Sequence, residues 1–253
     1  LQKKDLNNWE KFIPKNIDII HLSANYKPKT DIPYIITVHG NGQPGEVFPK
    51  NSVFLSKKHA ESHNATAYIY NGIDLEEYPF TPKQNQAWEN FFFLGKGSWS
   101  VKNLKQCIQV TKRNKKQLHI IGGRSFIPSR YIHSYGPLGG EEKLDVMNKC
   151  DALLFPVLWH EPFGIAIIEA MALGKPVIGS PYGSLPELIN EDTGFICNNY
   201  EDLTKIVKNN TKKFDPEKIR DYVEKNFAIK KYTQENINLY ENIINYKQLN
   251  ENI

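Results

Sequence analysis

The sequence predicts an α/β fold built on parallel sheets covered on both faces. Short apolar runs of strand length alternate with amphipathic, helix-period stretches along most of the chain. Those runs are continuously apolar, as strands buried on both sides are, instead of alternating like strands with one wet face. Residues 75–88 carry Pro79, Pro82, Asn85 and Gln86 without a periodic pattern, which reads as a linker. A boundary near residue 83 follows. It gives a first Rossmann-like domain over 1–83, a second over 84–228, and a final helical segment, 229–253, packing back toward the first.

In the first part, a short helix is expected at 6–14, with strands at 18–22, 34–38, 52–55 and 67–70. Ser56 is placed to cap a helix over 57–62. In the second part, strands are expected at 91–94, 118–121, 131–135, 152–156, 176–179 and 194–197. Helices fall between them at 103–113, 141–149 and 163–173, the last stopped by Gly174. Ser184 and Glu187 have the spacing of a capping box opening a short helix. Helices at 201–209, 216–225 and 229–247 complete the chain by periodicity.

Composition narrows the function classes. Hydrophobic residues make up 40% and charged residues 24%, an ordinary globular balance. Net charge is +4, compatible with an anionic small ligand or an acidic membrane surface. No arginine-rich tract or nucleic-acid-binding motif occurs, which argues against a nucleic-acid partner. Cys107, Cys150 and Cys197 are widely spaced and form no Cys-x-x-Cys pair, which argues against a disulfide scaffold or zinc knuckle. Cys107 and Cys150 sit in amphipathic stretches as small buried thiols. A reducing compartment is the expectation, hence a cytoplasmic protein, peripheral to a membrane at most. No run approaches the roughly 20 apolar residues of a membrane span, and no signal peptide opens the chain.

Ligands of open parallel sheets bind at the carboxyl ends of the strands. Three glycine-bearing strand ends stand out: Gly95-Lys96-Gly97, Gly122-Gly123, and the run from Trp159 to Gly164. In that run, Pro162, Phe163 and Gly164 open a helix whose first amides, near Gly164 and Ile165, attract phosphate. Glu161 precedes the helix and Glu169 follows eight residues on, roughly 12 Å along a helix axis. That separation is too wide for a shared proton or a close carboxylate pair. It suits hydroxyls at opposite ends of one ligand with phosphates between. Glu169 lies among Ile165, Ile167, Ile168, Ala170, Met171 and Ala172, so its carboxylate needs a partner. Lys96 and Lys102, on one glycine-containing loop, are placed to clamp a diphosphate. His39 ends a strand before Gly40-Asn41-Gly42. Trp99, Trp159 and Phe163 are candidate pocket walls, while His133 and His160 read as structural or exposed.

The residues 136–197 resemble the donor-binding signature of retaining glycosyltransferases of family 4, which have the two-domain GT-B fold. The phrase EPFGIAIIEAMALGKPVIGSPYGSLPELINEDTGF is similar to that family's E-x7-E region throughout. SKKHA (56–60), YNGIDLEEYPF (70–80) and VHG (38–40) resemble further family segments. GPLGGEEK and LLFPVLWHEPFG are similar to the tetrahydrobiopterin glucosyltransferase-like branch. The resemblance spans about residues 16–240.

The resemblance implies transfer of a hexosyl group from a UDP- or GDP-sugar, with retention and without a metal or other cofactor, to a glycan, lipid or small-molecule acceptor. It gives Glu161 the donor hexose, with Gly164 and Ile165 amides helping and Phe163 adjoining. Glu169 takes the ribose hydroxyls, and Lys96 and Lys102 the diphosphate beside Gly95. His39 reaches toward the transferred sugar, and backbone near Tyr135 and Gly136 reads the base. Lys96 stands where the family usually has Arg, which loses a bidentate phosphate contact. The first domain is short for a full doubly wound domain. The chain therefore either lacks its beginning or is a reduced or split enzyme, and the alternative reading is a nucleotide-sugar-binding subunit completed by a partner chain.

Overall fold

The computed structural model describes residues 9–82, 87–125, 128–246 and 249. The chain divides into two compact units, one of residues 1–70 with 232–253 and one of residues 71–231. The boundary expected at residue 83 falls on 83–86, outside the described residues, as do the first residues of the helix expected at 6–14. Among the described residues of that span, Trp9–Phe12 form a 3-10 turn.

The first unit holds a three-stranded parallel sheet, β1 (Ile20–Leu22), β2 (Tyr34–Thr37) and β3 (Ser52–Val53), in that order. β2 is buried on both faces, as its unbroken apolar run predicts. Ile36 joins Val38, Phe48, Phe54, Ala60 and Ala65 on one side. Ile35 joins Val53, Ile69 and the helix residues Tyr232, Leu239 and Tyr240 on the other. That helix is α8 (Ile229–Tyr246). Helix α1 (Lys57–Glu61) starts where Ser56 accepts a hydrogen bond from the His59 amide at 3.1 Å, a cap worth about 1 kcal/mol. The strand expected at 67–70 is reduced to a single bridge between Phe54 and Tyr68.

The second unit is a six-stranded, all-parallel sheet in the order β6-β5-β4-β7-β8-β9. Its strands are β4 (Asn90–Leu94), β5 (Gln117–Ile121), β6 (Ile132–Gly136), β7 (Ala152–Phe155), β8 (Val177–Gly179) and β9 (Gly194–Ile196). Phe91, Phe92 and Phe93 are all fully buried, so β4 is packed on both faces. The connecting helices are α2 (Leu104–Arg113), α3 (Gly140–Lys149), α4 (Ile165–Ala172), α5 (Leu185–Leu188), α6 (Tyr200–Asn209) and α7 (Pro216–Phe227). Renumbered from β4, the strand order is 3-2-1-4-5-6, the doubly wound order whose direction reverses between β4 and β7.

Residues 71–80 belong with this second unit, and the reason is local. Ile73 bridges Ala228, with bonds from the Ile73 amide to the Phe227 carbonyl (2.9 Å) and from the Ile229 amide to the Ile73 carbonyl (2.8 Å). Arg220 of α7 donates to the carbonyls of Leu75 (3.1 Å), Tyr78 (2.9 Å) and Ala172. This stretch is thus a strap tied to α7 and to the end of α4.

The capping box expected at Ser184 is not formed. The Ser184 hydroxyl instead donates to the Phe163 carbonyl at 2.6 Å, and no side-chain cap is made at α5. A buried carbonyl at the start of α4 has the stronger need, because an unpaired buried acceptor costs more than a missing cap.

All three cysteines are free and buried. Burial pushes the Cys150 and Cys197 thiols up to about 12 and Cys107 higher still, so they are inert packing groups. Among the described residues no helix is long and apolar enough to cross a membrane.

Candidate donor-nucleotide site

The reversal point between β4 and β7 is where two loops diverge and leave a crevice. The loop after β4 carries Lys96 and Lys102, and the loop after β7 carries Trp159 and Glu161. Buried Asn103 fastens the two together. It takes a left-handed backbone (φ 58°) and donates from its side chain to the Pro156 carbonyl at 2.8 Å. The Leu158 amide donates back to the Val101 carbonyl at 2.8 Å.

This fastening brings Lys102 onto Glu161. Glu161 is only 7% exposed. Its Oε2 accepts from Lys102 Nζ at 2.6 Å and from Trp159 Nε1 at 2.8 Å. The Lys102 ammonium also lies over the Phe155 and Trp159 rings, 5.2 and 5.1 Å from their centroids. The Glu161 backbone is fixed from behind: its carbonyl accepts from the Ser184 amide at 3.0 Å. Gly183 packs so closely that an added Cβ would sit 2.3 Å from both Glu161 N and O.

Lys96 is exposed and sits 4.8 Å above the Trp99 ring, which meets Trp159 edge-on at 6.3 Å. Lys96 makes no ion pair among the described residues. The two lysines and the two tryptophans therefore form one continuous cationic and aromatic wall.

Helix α4 begins immediately after. Gly164, at φ +90°, turns the chain into it, a conformation that favours glycine. The Ile167 amide donates to the Gly164 carbonyl at 2.9 Å, while the Ile165 and Ala166 amides have no acceptor within the helix, and Ile165 is 48% exposed at that end. Phe163 is different. Its ring is 1% exposed and packs on Phe227, so the side chain expected beside the ligand belongs to the core.

Glu169 is the single charged residue of α4, and it has the partners its apolar surroundings demand. Oε1 accepts from Tyr78 Oη at 2.6 Å and from Lys143 Nζ of α3 at 2.7 Å. Burial first, then the bond to Glu169, raises the Tyr78 phenol well above its ordinary value, so it remains a donor. The side chains of Lys143 and Glu169 are 18% and 13% exposed, so this is a largely buried pair.

The two carboxylates are thus treated alike. Each commits one oxygen to a lysine and to a neutral aromatic donor. Glu161 Oε1 and Glu169 Oε2 receive no hydrogen bond from the described residues.

Beyond Lys96, three strand ends pack backbone against backbone. The Gly97 amide donates to the Gly122 carbonyl (2.9 Å) and the Gly122 amide to the Gly136 carbonyl (2.6 Å). Tyr135, 39% exposed, bonds His119 at 2.9 Å and stacks on it. His133 bonds Gln117 at 2.9 Å, and His160 is exposed with its ring on Tyr182, in line with their structural or solvent-facing reading. His39 follows β2 in the first unit and is exposed. Among the described residues no group of three or more His, Cys, Asp or Glu could hold a metal ion.

Lys143 and Tyr78 were not legible as site residues. Glu169's need for a partner was readable, but its suppliers lie 26 and 91 positions away.

These features, a doubly wound sheet with cations and carboxylates at its reversal point, define an α/β protein of the GT-B glycosyltransferase fold. Residues 76–231 match the family described as Glycosyl transferases group 1, and the chain belongs to that family. The solved structure of AviGT4, a glycosyltransferase involved in avilamycin A biosynthesis, superposes with a TM-score of 0.76 at 16% identity, covering 96% of this chain and 79% of that one. Anabaena HepE in complex with UDP and glucose superposes with a TM-score of 0.67 at 16% identity, covering 83% and 71%. By sequence, the chain is 25% identical over 227 residues to an uncharacterized glycosyltransferase of Methanocaldococcus jannaschii, covering 69% of this chain and 59% of that protein. It is 25% identical over 138 residues to a phosphatidyl-myo-inositol mannosyltransferase of Propionibacterium freudenreichii, covering 51% and 36%. The chain thus spans less than two thirds of the length of these curated relatives.

Proposed function

We propose that this chain transfers a hexosyl group from a nucleoside diphosphate sugar to a hydroxyl acceptor with retention of configuration, as the family 4 resemblance implies. The observation that carries the reading is the pair of half-used carboxylates on either side of the α4 N-terminus. Glu161 Oε1 would accept from hexose hydroxyls and Glu169 Oε2 from the ribose diol. The diphosphate would lie between, on the Gly164 and Ile165 amides, with the N-terminal dipole favouring its charge.

Lys102 need not leave Glu161 to contribute, because an ammonium has three donors. It would bridge the hexose-binding carboxylate and the β-phosphate, with exposed Lys96 adding a second positive charge. In the transition state the bond from the anomeric carbon to the phosphate oxygen breaks and negative charge grows on the leaving nucleotide. Fixed cations and amides at that point stabilise it more than they stabilise the bound donor. On a front-face path the departing phosphate takes the acceptor hydroxyl's proton as the new bond forms. The two lysines supply the neutralisation, so the proposed reaction requires no metal. HepE, a structural relative, was crystallised with UDP-glucose, which supports a donor of this class.

Calorimetric titration with UDP and GDP tests the reading. The Glu169→Gln variant keeps an oxygen for Tyr78 and Lys143 but turns the second acceptor into a donor. It should bind the nucleotide about tenfold or more weakly, since one charged hydrogen bond is worth roughly 1.5–3 kcal/mol, and unfold at a somewhat lower temperature because the Lys143 ammonium loses its counter-charge. Equal affinity in the variant and the parent would refute the assignment.

A further inference from the structure

Tyr78 is 5% exposed and its hydroxyl lies 2.6 Å from Glu169 Oε1, yet it sits on the strap and not on a strand or long helix. A 3-10 turn, Leu75–Glu77, ends just before it. Its register against α4 therefore comes from side-chain ties, and one residue supplies most of them.

Arg220, half-buried on α7, makes no ion pair among the described residues. Its donors go to backbone. Nη1 donates to the carbonyls of Tyr78, at 2.9 Å, and of Ala172, and Nη2 to that of Leu75 at 3.1 Å. The Phe80 ring lies 5.1 Å from Cζ. Bridging three carbonyls suits a planar fork of five N–H donors, and a lysine ammonium cannot reproduce it. Ala172 is the last residue of α4, three past Glu169. Its carbonyl is among the last four of the helix, which lack intrahelical partners, and the dipole favours a cation there. One guanidinium thus grips both halves of the Tyr78–Glu169 contact: the backbone that carries the phenol and the helix turn that carries the carboxylate. The seat is close-packed. A Cβ on Gly174, just past α4, would lie 2.8 Å from the Phe80 ring and 2.7 Å from Pro216, the first residue of α7.

Resting on the donor site proposed above, we propose that Arg220 is a positioning residue for ribose recognition. It keeps the Tyr78 hydroxyl on Glu169 Oε1, so that Oε2 stays turned to accept from the sugar diol. Titration of the full chain with UDP and GDP, each beside its 2′-deoxy counterpart, tests this. The parent should bind the ribonucleotide about tenfold more tightly than the 2′-deoxy form, the loss of one hydrogen bond to a charged group. Arg220→Lys keeps the charge without the fork, and Arg220→Met removes both. In each, the preference should shrink to about threefold or less, because a misaligned bond weakens steeply, while binding of the 2′-deoxy form stays as in the parent. Arg220→Lys, the milder change, keeps the test readable if Arg220→Met fails to fold. Tyr78→Phe should shrink the preference too, and adding Arg220→Lys to it should change nothing further, because the two act along one route.

A preference that survives intact in a folded Arg220 variant, or in Tyr78→Phe, overturns the inference and leaves the donor site standing. Equal weakening of both nucleotide forms overturns it as well, since that is the mark of a merely structural tie. A parent that shows no preference for ribose overturns this inference and the placement of ribose on Glu169 together.

Discussion

Lys143 Nζ lies 2.7 Å from Glu169 Oε1, joining α3 to the one charged residue of α4. The Tyr78 hydroxyl, carried by the strap that Arg220 ties down, completes the arrangement on the same oxygen. The pair holds the Glu169 carboxylate in a helix whose Ile167, Ile168, Ala170, Met171 and Ala172 are buried.

Removing one member should therefore cost more than its own bond. Lys143→Met leaves a largely buried carboxylate uncompensated, which for fully buried pairs costs roughly 3–5 kcal/mol. Given the residual exposure, a loss toward the lower end is expected in urea unfolding, together with weaker nucleotide binding. Tyr78→Phe deletes a neutral donor to the same carboxylate and should cost less, roughly 1.5 kcal/mol, the low end for a hydrogen bond to a charged group. Equal, negligible effects from both would show that the pair does not position Glu169.

Trp159 acts on Glu161 through a single N–H. Trp159→Phe keeps an aromatic ring under Lys102 but loses the 2.8 Å bond to Oε2. Transfer measured as kcat/KM should fall by about tenfold, matching roughly 1.4 kcal/mol, with little change in thermal unfolding. Lys102→Met removes the cation as well and should fall further, chiefly in kcat. A larger effect from the tryptophan variant would contradict this order.

Gly183 has no room for a side chain. At φ +62°, with a Cβ placed 2.3 Å from the Glu161 backbone, even Gly183→Ala must displace the loop that carries the carboxylate. Overpacking of this kind costs roughly 1–3 kcal/mol or more. The variant should lose nucleotide affinity and unfold at lower temperature. Retention of both would mean the loop moves freely.

The first unit carries a pH dependence in His59. Burial is the main cause that holds it down to about 4, with the charges of His63 and His39 adding, against an opposing bond to the Gly40 carbonyl. The neutral ring accepts from the Leu55 amide at 3.2 Å and donates to Gly40 at 3.0 Å. Unfolded, the ring takes a proton near its ordinary 6.5. Between those values the unfolded chain binds more protons, so stability is full above about 6.5 and falls as pH drops toward 4, by up to roughly 3 kcal/mol. His119 in the second unit is held to about 4 mainly by burial and adds in the same direction. Urea midpoints from pH 7 to pH 4 should fall less steeply in His59→Asn than in the parent, and parallel slopes would contradict the account.

Much of this architecture was readable because parallel strands buried on both faces leave unbroken apolar runs. The Phe91–Phe93 triplet and the stripe of Leu104, Cys107 and Val110 each declare their element. Glu161, Lys102 and the start of α4 were readable because a charge or a glycine at a strand end is locally conspicuous. What was hidden depends on distant pairing. The 67–70 segment has strand composition but finds only Phe54 to bridge. Ser184 has capping spacing but is drawn to the Phe163 carbonyl. Residues 75–80 look like a linker until Arg220, some 140 positions on, collects their carbonyls.

The proposed function requires a diphosphate on the first turn of α4 between two half-used carboxylates. A crystal structure of the chain grown with UDP or GDP examines it most directly. Phosphate oxygens should lie within hydrogen-bond distance of the Gly164 or Ile165 amides and of Lys102 Nζ, with ribose hydroxyls on Glu169 Oε2. A nucleotide bound elsewhere, or bound there with Glu169 still touching only Lys143 and Tyr78, would contradict it.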